Sequence, residues 1–265
     1  MRSNQNKMKK KRVICIIQAR MSSTRLPGKS LIKINGTPCI EMVINRVSKS
    51  RLIHELWLAC SDHSSDDILA KYLKAFKINT FRGNLNNVLS RFVLISKKQS
   101  ADYIVRITGD CPLIDHNLID KSIKKILEKK LDYVSNTIIR TYPDGIDVEV
   151  FKSSALYEAE KKANAFTREH VTPYISGKLK KYMSSGNFKT AQIKNLKDLS
   201  LFRLTLDREE DLNLLNEVCK KLGNNCEWQQ AVNLIQKNSD LFKINNHIAY
   251  NENSKKDLNK LINDE

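Results

Sequence analysis

The chain has 265 residues, 41% hydrophobic and 28% charged, which is ordinary for a soluble globular protein and enough for one large α/β domain or a domain with an appended lobe. No apolar run approaches the roughly 20 residues that cross a bilayer, and six cysteines without CxxC or Cys/His clustering exclude a disulfide framework and a zinc site. The net charge of +17 comes without a helix-turn-helix, zinc-finger or RNP pattern, and the lysines are dispersed, so the excess is assigned to the surface and to an anionic substrate rather than to nucleic acid.

Residues 1–12, MRSNQNKMKKKR, read as a basic disordered tail. The apolar run that follows is too short for a signal peptide and lacks a small-residue cleavage site, so a cytoplasmic location is expected. That run, Val13-Ile14-Cys15-Ile16-Ile17, is short and β-branched, as in a strand buried on both faces of a parallel sheet. It stops at Gln18. The next stretch carries Arg20, Arg25 and Lys29 among Ser22, Ser23, Thr24 and Gly28, the ingredients of a polyphosphate cradle. It has neither P-loop nor GxGxxG spacing, and a solvated basic loop is the other reading of its charges.

Residues 31–34 read as a short extended piece that turns at Asn35-Gly36, and 38–48 as a helix with Pro38 near its start. A second strand over 55–60 leads into the polar loop 61–67, which should cap a helix over 68–76. A third strand over 79–82, a helix over 84–98 and a fourth strand over 102–107 follow. Thr108-Gly109-Asp110-Cys111-Pro112 comes next, then a helix capped by Asp115 and running to about 129. This alternation predicts an α/β fold: a mostly parallel sheet with helices on both faces. Ligands then bind at the carboxyl ends of the strands, which puts the Arg20–Lys29 loop and Asp110 on one edge.

The second half is less regular. A strand is expected over 131–136 and another over 146–151, after the turn at 142–145. Helices are expected over 153–162 and 167–179, a last strand over 202–207 and a last helix over 208–222, closed by Gly223. Residues 223–265 form a helical extension with an amphipathic stretch at 228–235.

The string IQARMSSTRLPGKSL closely resembles the N-terminal signature of sugar-activating cytidylyltransferases of the spore coat polysaccharide biosynthesis protein F type. CMP-KDO synthetases and acylneuraminate cytidylyltransferases are more distant relatives. The resemblance implies a Rossmann-like, GT-A-like nucleotidyltransferase domain over 13–222. It implies transfer of CMP from CTP to an acidic or modified sugar, with Mg²⁺ as cofactor and no membrane partner; a homodimer is compatible with it.

Further strings carry the resemblance and its site residues. RITGDCPLID matches the second motif, whose aspartate, here Asp110, holds the cation; by itself Asp110 also reads as a cap or turn former. RLTLDREEDL gives Asp207 as the second metal carboxylate, in competition with a helix N-cap whose box partner is Glu210. Asp211 reads as structural. The nucleotide is assigned to Gln18, Ala19, Arg20, Ser23, Arg25 and Lys29, with Arg82, Gly83 and Arg106. Of these, Arg20 and Lys29 act in catalysis with Asp110. In RGNLNNVLSRF, Asn87 and Ser90 stand where relatives carry acids.

TYPDGIDVEVF supplies Asp144, Asp147 and Glu149. Two carboxylates on one strand face are too costly to bury unpaired, so they meet sugar hydroxyls, the metal through water, or a solvated edge. REHVTPYI supplies Arg168 and His170 as substrate contacts. Two readings compete with cytidylyl transfer: a GT-A-type glycosyltransferase using a nucleotide-sugar, and a basic nucleic-acid-binding protein without catalysis.

Overall fold

A computed structural model describes residues 11–177 and 185–250. Its centre is a seven-stranded sheet in the order β5-β4-β1-β6-β8-β7-β9. The first four in that order are parallel: β5 (Asn79–Gly83), β4 (Glu55–Ser61), β1 (Val13–Gln18) and β6 (Tyr103–Thr108). β8 (Glu149–Lys152) runs antiparallel to both β6 and β7 (Tyr133–Ser135), and β9 (Thr190–Gln192) is parallel to β7. β2 (Lys33–Ile34) and β3 (Thr37–Pro38) form a separate hairpin across the Asn35-Gly36 turn. The mostly parallel α/β sheet is as expected from the sequence.

β1 shows why its residues are apolar without interruption. Val13, Cys15 and Ile17 point into one core and Ile14 and Ile16 into another, the period-2 alternation of a strand covered on both faces. The first core is closed by α1 (Cys39–Val47), α2 (Asp67–Ala75), α4 (His116–Glu128), α8 (Glu209–Leu222) and α9 (Trp228–Gln236). The second lies under α3 (Val88–Lys98), α5 (Ser153–Lys161) and the stretch of α6 (Ala165–His170) and α7 (Pro173–Ser176). α9 and the short α10 (Ser239–Lys243) contribute Trp228, Ala231, Val232 and Leu241 to the first core, so the extension packs on the sheet rather than apart from it.

Several expected elements differ, each for a local reason. Residues 202–207 do not form a strand. They run extended between two loops, with Asp144 N–H donating to Phe202 O (2.9 Å), Leu204 N–H to Asp144 O (2.7 Å) and Leu206 N–H to Asp110 O (2.8 Å). The expected strand 146–151 starts only at Glu149, because the Asn136 side chain serves the backbone before it, donating to Ile146 O (2.6 Å) and accepting from Val148 N–H (2.9 Å). The helix expected over 167–179 breaks at Val171, whose φ is 68°, and restarts at Pro173; 178–179 lie outside the described residues. α3 starts at Val88 rather than 84, capped by Asn87, which accepts from Ser90 N–H. The polar Thr-Ala-Gln of β9 gave no strand pattern.

The expected basic tail lies outside the described residues except for Lys11 and Arg12. Among the described residues, no helix is long and apolar enough to cross a membrane.

Candidate active site

A cavity of about 730 Å³ opens where the parallel strands end. The chain leaving β1 is tied down at several points. Ala19 N–H donates to Ala59 O (3.1 Å), Met21 N–H to Asp66 Oδ1 (2.7 Å) and Gly28 N–H to Met21 O (2.9 Å). Gly28 sits at φ 74°, where only glycine is unstrained. Asp66 is fully buried and also accepts from Ser61 N–H and Oγ–H. It is therefore a brace for the cationic loop, not the helix cap that loop 61–67 suggested.

This bracing aims Lys29 across the sheet edge. Its Nζ lies 2.6 Å from Asp110 Oδ2 and 2.9 Å from Asp207 Oδ1. Arg25 Nε donates to the other oxygen of Asp207 at 2.6 Å. Asp110 reaches this point because Gly109 turns tightly against β1: its N–H donates to Gln18 O (2.8 Å), and a Cβ there would sit 2.8 Å from that of Ala19. Burial alone would raise the Asp110 carboxyl, but the charge and hydrogen bond of Lys29, with Thr108, bring it down to about 2. Asp207 follows the same balance and is lowered. Burial would lower the Lys29 ammonium; its two carboxylates more than offset this and raise it.

Asp207 does not cap α8. The cap of α8 is made by Asp211, which accepts from the backbone N–H of both Asp207 and Arg208 at 3.0 Å, and Glu210 plays no part in it. The Asp207 side chain is left to face the cavity.

Cations from one loop thus converge with two far-separated carboxylates at a sheet edge, and comparison with known proteins decides the family. The family model described as cytidylyltransferase matches residues 14–252. The chain belongs to the cytidylyltransferase family. It is 35% identical to an uncharacterised protein of Methanocaldococcus jannaschii, over 89% of this chain and 96% of that one. It is 30% identical to spore coat polysaccharide biosynthesis protein SpsF of Bacillus subtilis, over 86% and 95% of the two chains. A solved cytidylyltransferase from Leptospira borgpetersenii is 30% identical, with a TM-score of 0.81 over 91% of this chain and 99% of that one. The protein is accordingly a nucleotidyltransferase that uses CTP.

In this cytidylyltransferase, Gln18, Ala19, Arg20, Arg25, Lys29, Arg106, Asp110 and Asp207 line the cavity, as do Asp144, Asp147, Glu149 and His170. Four residues assigned from the sequence do not. The Ser23 hydroxyl accepts from Leu26 N–H within the loop itself. Arg82 donates to Ser61 O and His63 O and pairs with Asp67, so it fastens the β4 exit. Gly83 makes room for Arg91, whose Cγ would be 3.0 Å from a Cβ there. Arg168 is exposed; its neighbour Glu169 faces the cavity instead and pairs with Arg20 at 3.1 Å.

The acidic stretch is not a solvated edge. Asp147 takes a bidentate pair from Arg140 (2.7 and 2.7 Å). Asp144 pairs with Arg203 at 2.8 Å. Glu149 is buried and accepts from Arg106, from Tyr133 Oη–H (2.5 Å) and from Thr172 Oγ1–H (2.6 Å). Burial would raise Glu149, yet Arg106 and the two hydroxyls hold it below the usual carboxylate range. Asp144 goes the other way, pushed up to about 7 by burial and by Asp147, against Arg140 and Arg203.

Sequence reasoning missed the far wall of the cavity. Ile248, Ala249 and Tyr250 of the extension line it. Tyr250 Oη accepts from Arg140 Nη2 (2.5 Å), and its ring lies 4.0 Å from the same guanidinium. No motif marked this contact, and nothing local could have.

Among the described residues, no cluster of three or more His, Cys, Asp and Glu forms a metal cage. The donor set still suits a hard cation with few protein ligands. Asp110 and Asp207 both present an oxygen to the single position held by the Lys29 ammonium, and Mg²⁺ takes one or two carboxylates, leaving its other positions to water and phosphate.

Proposed function

We propose that the protein transfers CMP from CTP to a hydroxyl of an acidic or modified sugar, for surface polysaccharide or flagellar glycan. The observation that carries this reading is the convergence of Asp110 and Asp207 on Lys29, beside Arg20 and Arg25, at the carboxyl edge of β1 and β6. The sugar hydroxyl oxygen forms a bond to the α-phosphorus of CTP, its proton passing to solvent, as the bond to pyrophosphate breaks. Little covalent chemistry falls to the protein; its work is positioning and charge stabilisation.

In this reading Arg20, Arg25 and Lys29 hold the β- and γ-phosphates, so Lys29 exchanges its carboxylates for phosphate when CTP arrives. Asp110 and Asp207 would hold Mg²⁺, which when bound would supply neutralisation of phosphate charge. Asp144, Asp147 and Glu149, each fixed by an arginine, present oriented acceptors to sugar hydroxyls on the β8 side of the cavity.

The test is pyrophosphate release from CTP and Mg²⁺ with a panel of sugar acids and neutral sugars. Release with one sugar, accompanied by a CMP-sugar product, is the expected result. No release with any sugar of the panel would overturn the assignment of a sugar acceptor.

A further inference from the structure

Five of the cations lining the cavity are answered by carboxylates. Arg20 pairs with Glu169, Arg25 and Lys29 with Asp207, Arg106 with Glu149, and Arg203 with Asp144. Arg91 differs. It lines the same cavity with only 2% of its surface exposed. Among the described residues no carboxylate forms an ion pair with it. Its Nη2 makes one long contact, 3.5 Å, to Leu85 O, and its Nε is buried with no hydrogen-bond partner.

The fold gives this side chain its place deliberately. Arg91 stands in the first turns of α3, and helix side chains lean toward the N-terminus. Its stem passes over Gly83 at the end of β5, where a Cβ would be 3.0 Å from Arg91 Cγ. The guanidinium is thereby directed to the end of α3 that carries positive dipole charge. Burial lowers its pKa, and the nearby charges of Glu169 and Asp66 only partly offset that. A buried guanidinium lacking a counter-ion is costly to keep, and an anion docking against it relieves the cost.

We propose that Arg91 is a substrate-binding residue, holding an anionic substrate group against its guanidinium and the N-terminal turn of α3. The anion has two sources, a phosphate of the nucleotide or the carboxylate of a sugar acid, and the charge chemistry is common to both. The inference rests on the reading of the cavity as the site of CMP transfer to a sugar.

The test compares wild type with Arg91→Met, which keeps bulk without charge, and Arg91→Lys, which keeps charge without the fork. Each is titrated calorimetrically with CTP and with cytidine. Each is also titrated, with CTP present, with 3-deoxy-manno-octulosonate or N-acetylneuraminate, whichever the wild type uses, and with its methyl ester. Arg91→Met should weaken one anionic probe at least tenfold while its neutral counterpart is unchanged, and Arg91→Lys should recover part of the loss. A loss confined to CTP assigns the phosphate; a loss confined to the sugar acid assigns the carboxylate. Unchanged binding of both anions overturns the proposal, as does an equal loss for cytidine or the ester in a variant with wild-type thermal unfolding.

Should Arg91→Met fail to fold, a crystal structure of the wild type with CTP and with each sugar acid decides instead. An anionic oxygen within hydrogen-bond reach of Arg91 supports the assignment, and a neutral group or solvent there overturns it. Failure of the wild type to release pyrophosphate with any sugar removes the transfer reading alone. The partner of Arg91 in the CTP complex is still read independently.

Discussion

Arg203 and Asp211 form a bidentate pair, Nε to Oδ1 and Nη2 to Oδ2, each at 2.8 Å and with Asp211 fully buried. The same Asp211 holds the backbone N–H groups of Asp207 and Arg208, and Asn245 of the extension donates to it at 2.9 Å. One internal carboxylate thus sets the start of α8 and frees Asp207 for the cavity. Asp211→Ala removes the bidentate partner of Arg203 and leaves it the Asp144 contact at 2.8 Å and a longer one of 3.6 Å to Asp207. The cost therefore falls at the lower end of the range of about 3–5 kcal/mol for breaking a buried pair. Denaturant unfolding should show a loss of that size, with no compensating gain in activity.

Lys29→Ala removes the cation between Asp110 and Asp207 and a proposed phosphate ligand. The expected loss in kcat/KM is about 10²–10³, the cost of removing one preorganised charge-stabilising donor. Asp110→Asn should fall in the same range. Steady-state pyrophosphate release measures both, and near-wild-type rates for either would contradict the assigned roles.

Two carboxyls make opposite predictions for stability against pH. Asp110 is depressed to about 2, so its contribution is present above its ordinary value of 3.8 and is lost as pH falls through about 2. Asp144 is raised to about 7, so the penalty for ionising it in the folded state grows as pH rises from 3.8 to about 7. Asp144→Asn should therefore gain thermal stability relative to wild type across that interval and hold the gain above it. Thermal melts from pH 4 to 8 test this, and a flat difference would refute it.

Gly145 stands at φ 97°, and a Cβ there would lie 2.5 Å from Thr205 N. Gly145→Ala must push the 202–207 segment away from Asp110, to which Leu206 N–H and Thr205 Oγ1–H both donate. Backbone strain of this kind costs about 1–3 kcal/mol. Activity should fall further than stability, since the displaced segment carries Asp207. Parallel melts and rate measurements distinguish the two effects.

The α/β sheet, the two-sided burial of β1, and the meeting of the Lys29 loop with Asp110 on one edge are legible in the order of residues along the chain. Those features rest on short-range patterns: alternation along a strand, turn residues after it, and the rule that parallel strands deliver their loops to the same end. Tertiary structure alone decided which charge answers which. Lys29 and Asp207 are 178 positions apart, and the choice of Asp211 over Asp207 as the α8 cap depends on the buried Arg203 beside it. The same holds for Asp66 bracing the cationic loop, for Glu169 rather than Arg168 facing the cavity, and for Tyr250 closing its far wall. Which partner answers a buried charge depends on what the packed chain brings within reach of it, and local periodicity carries no record of that distance.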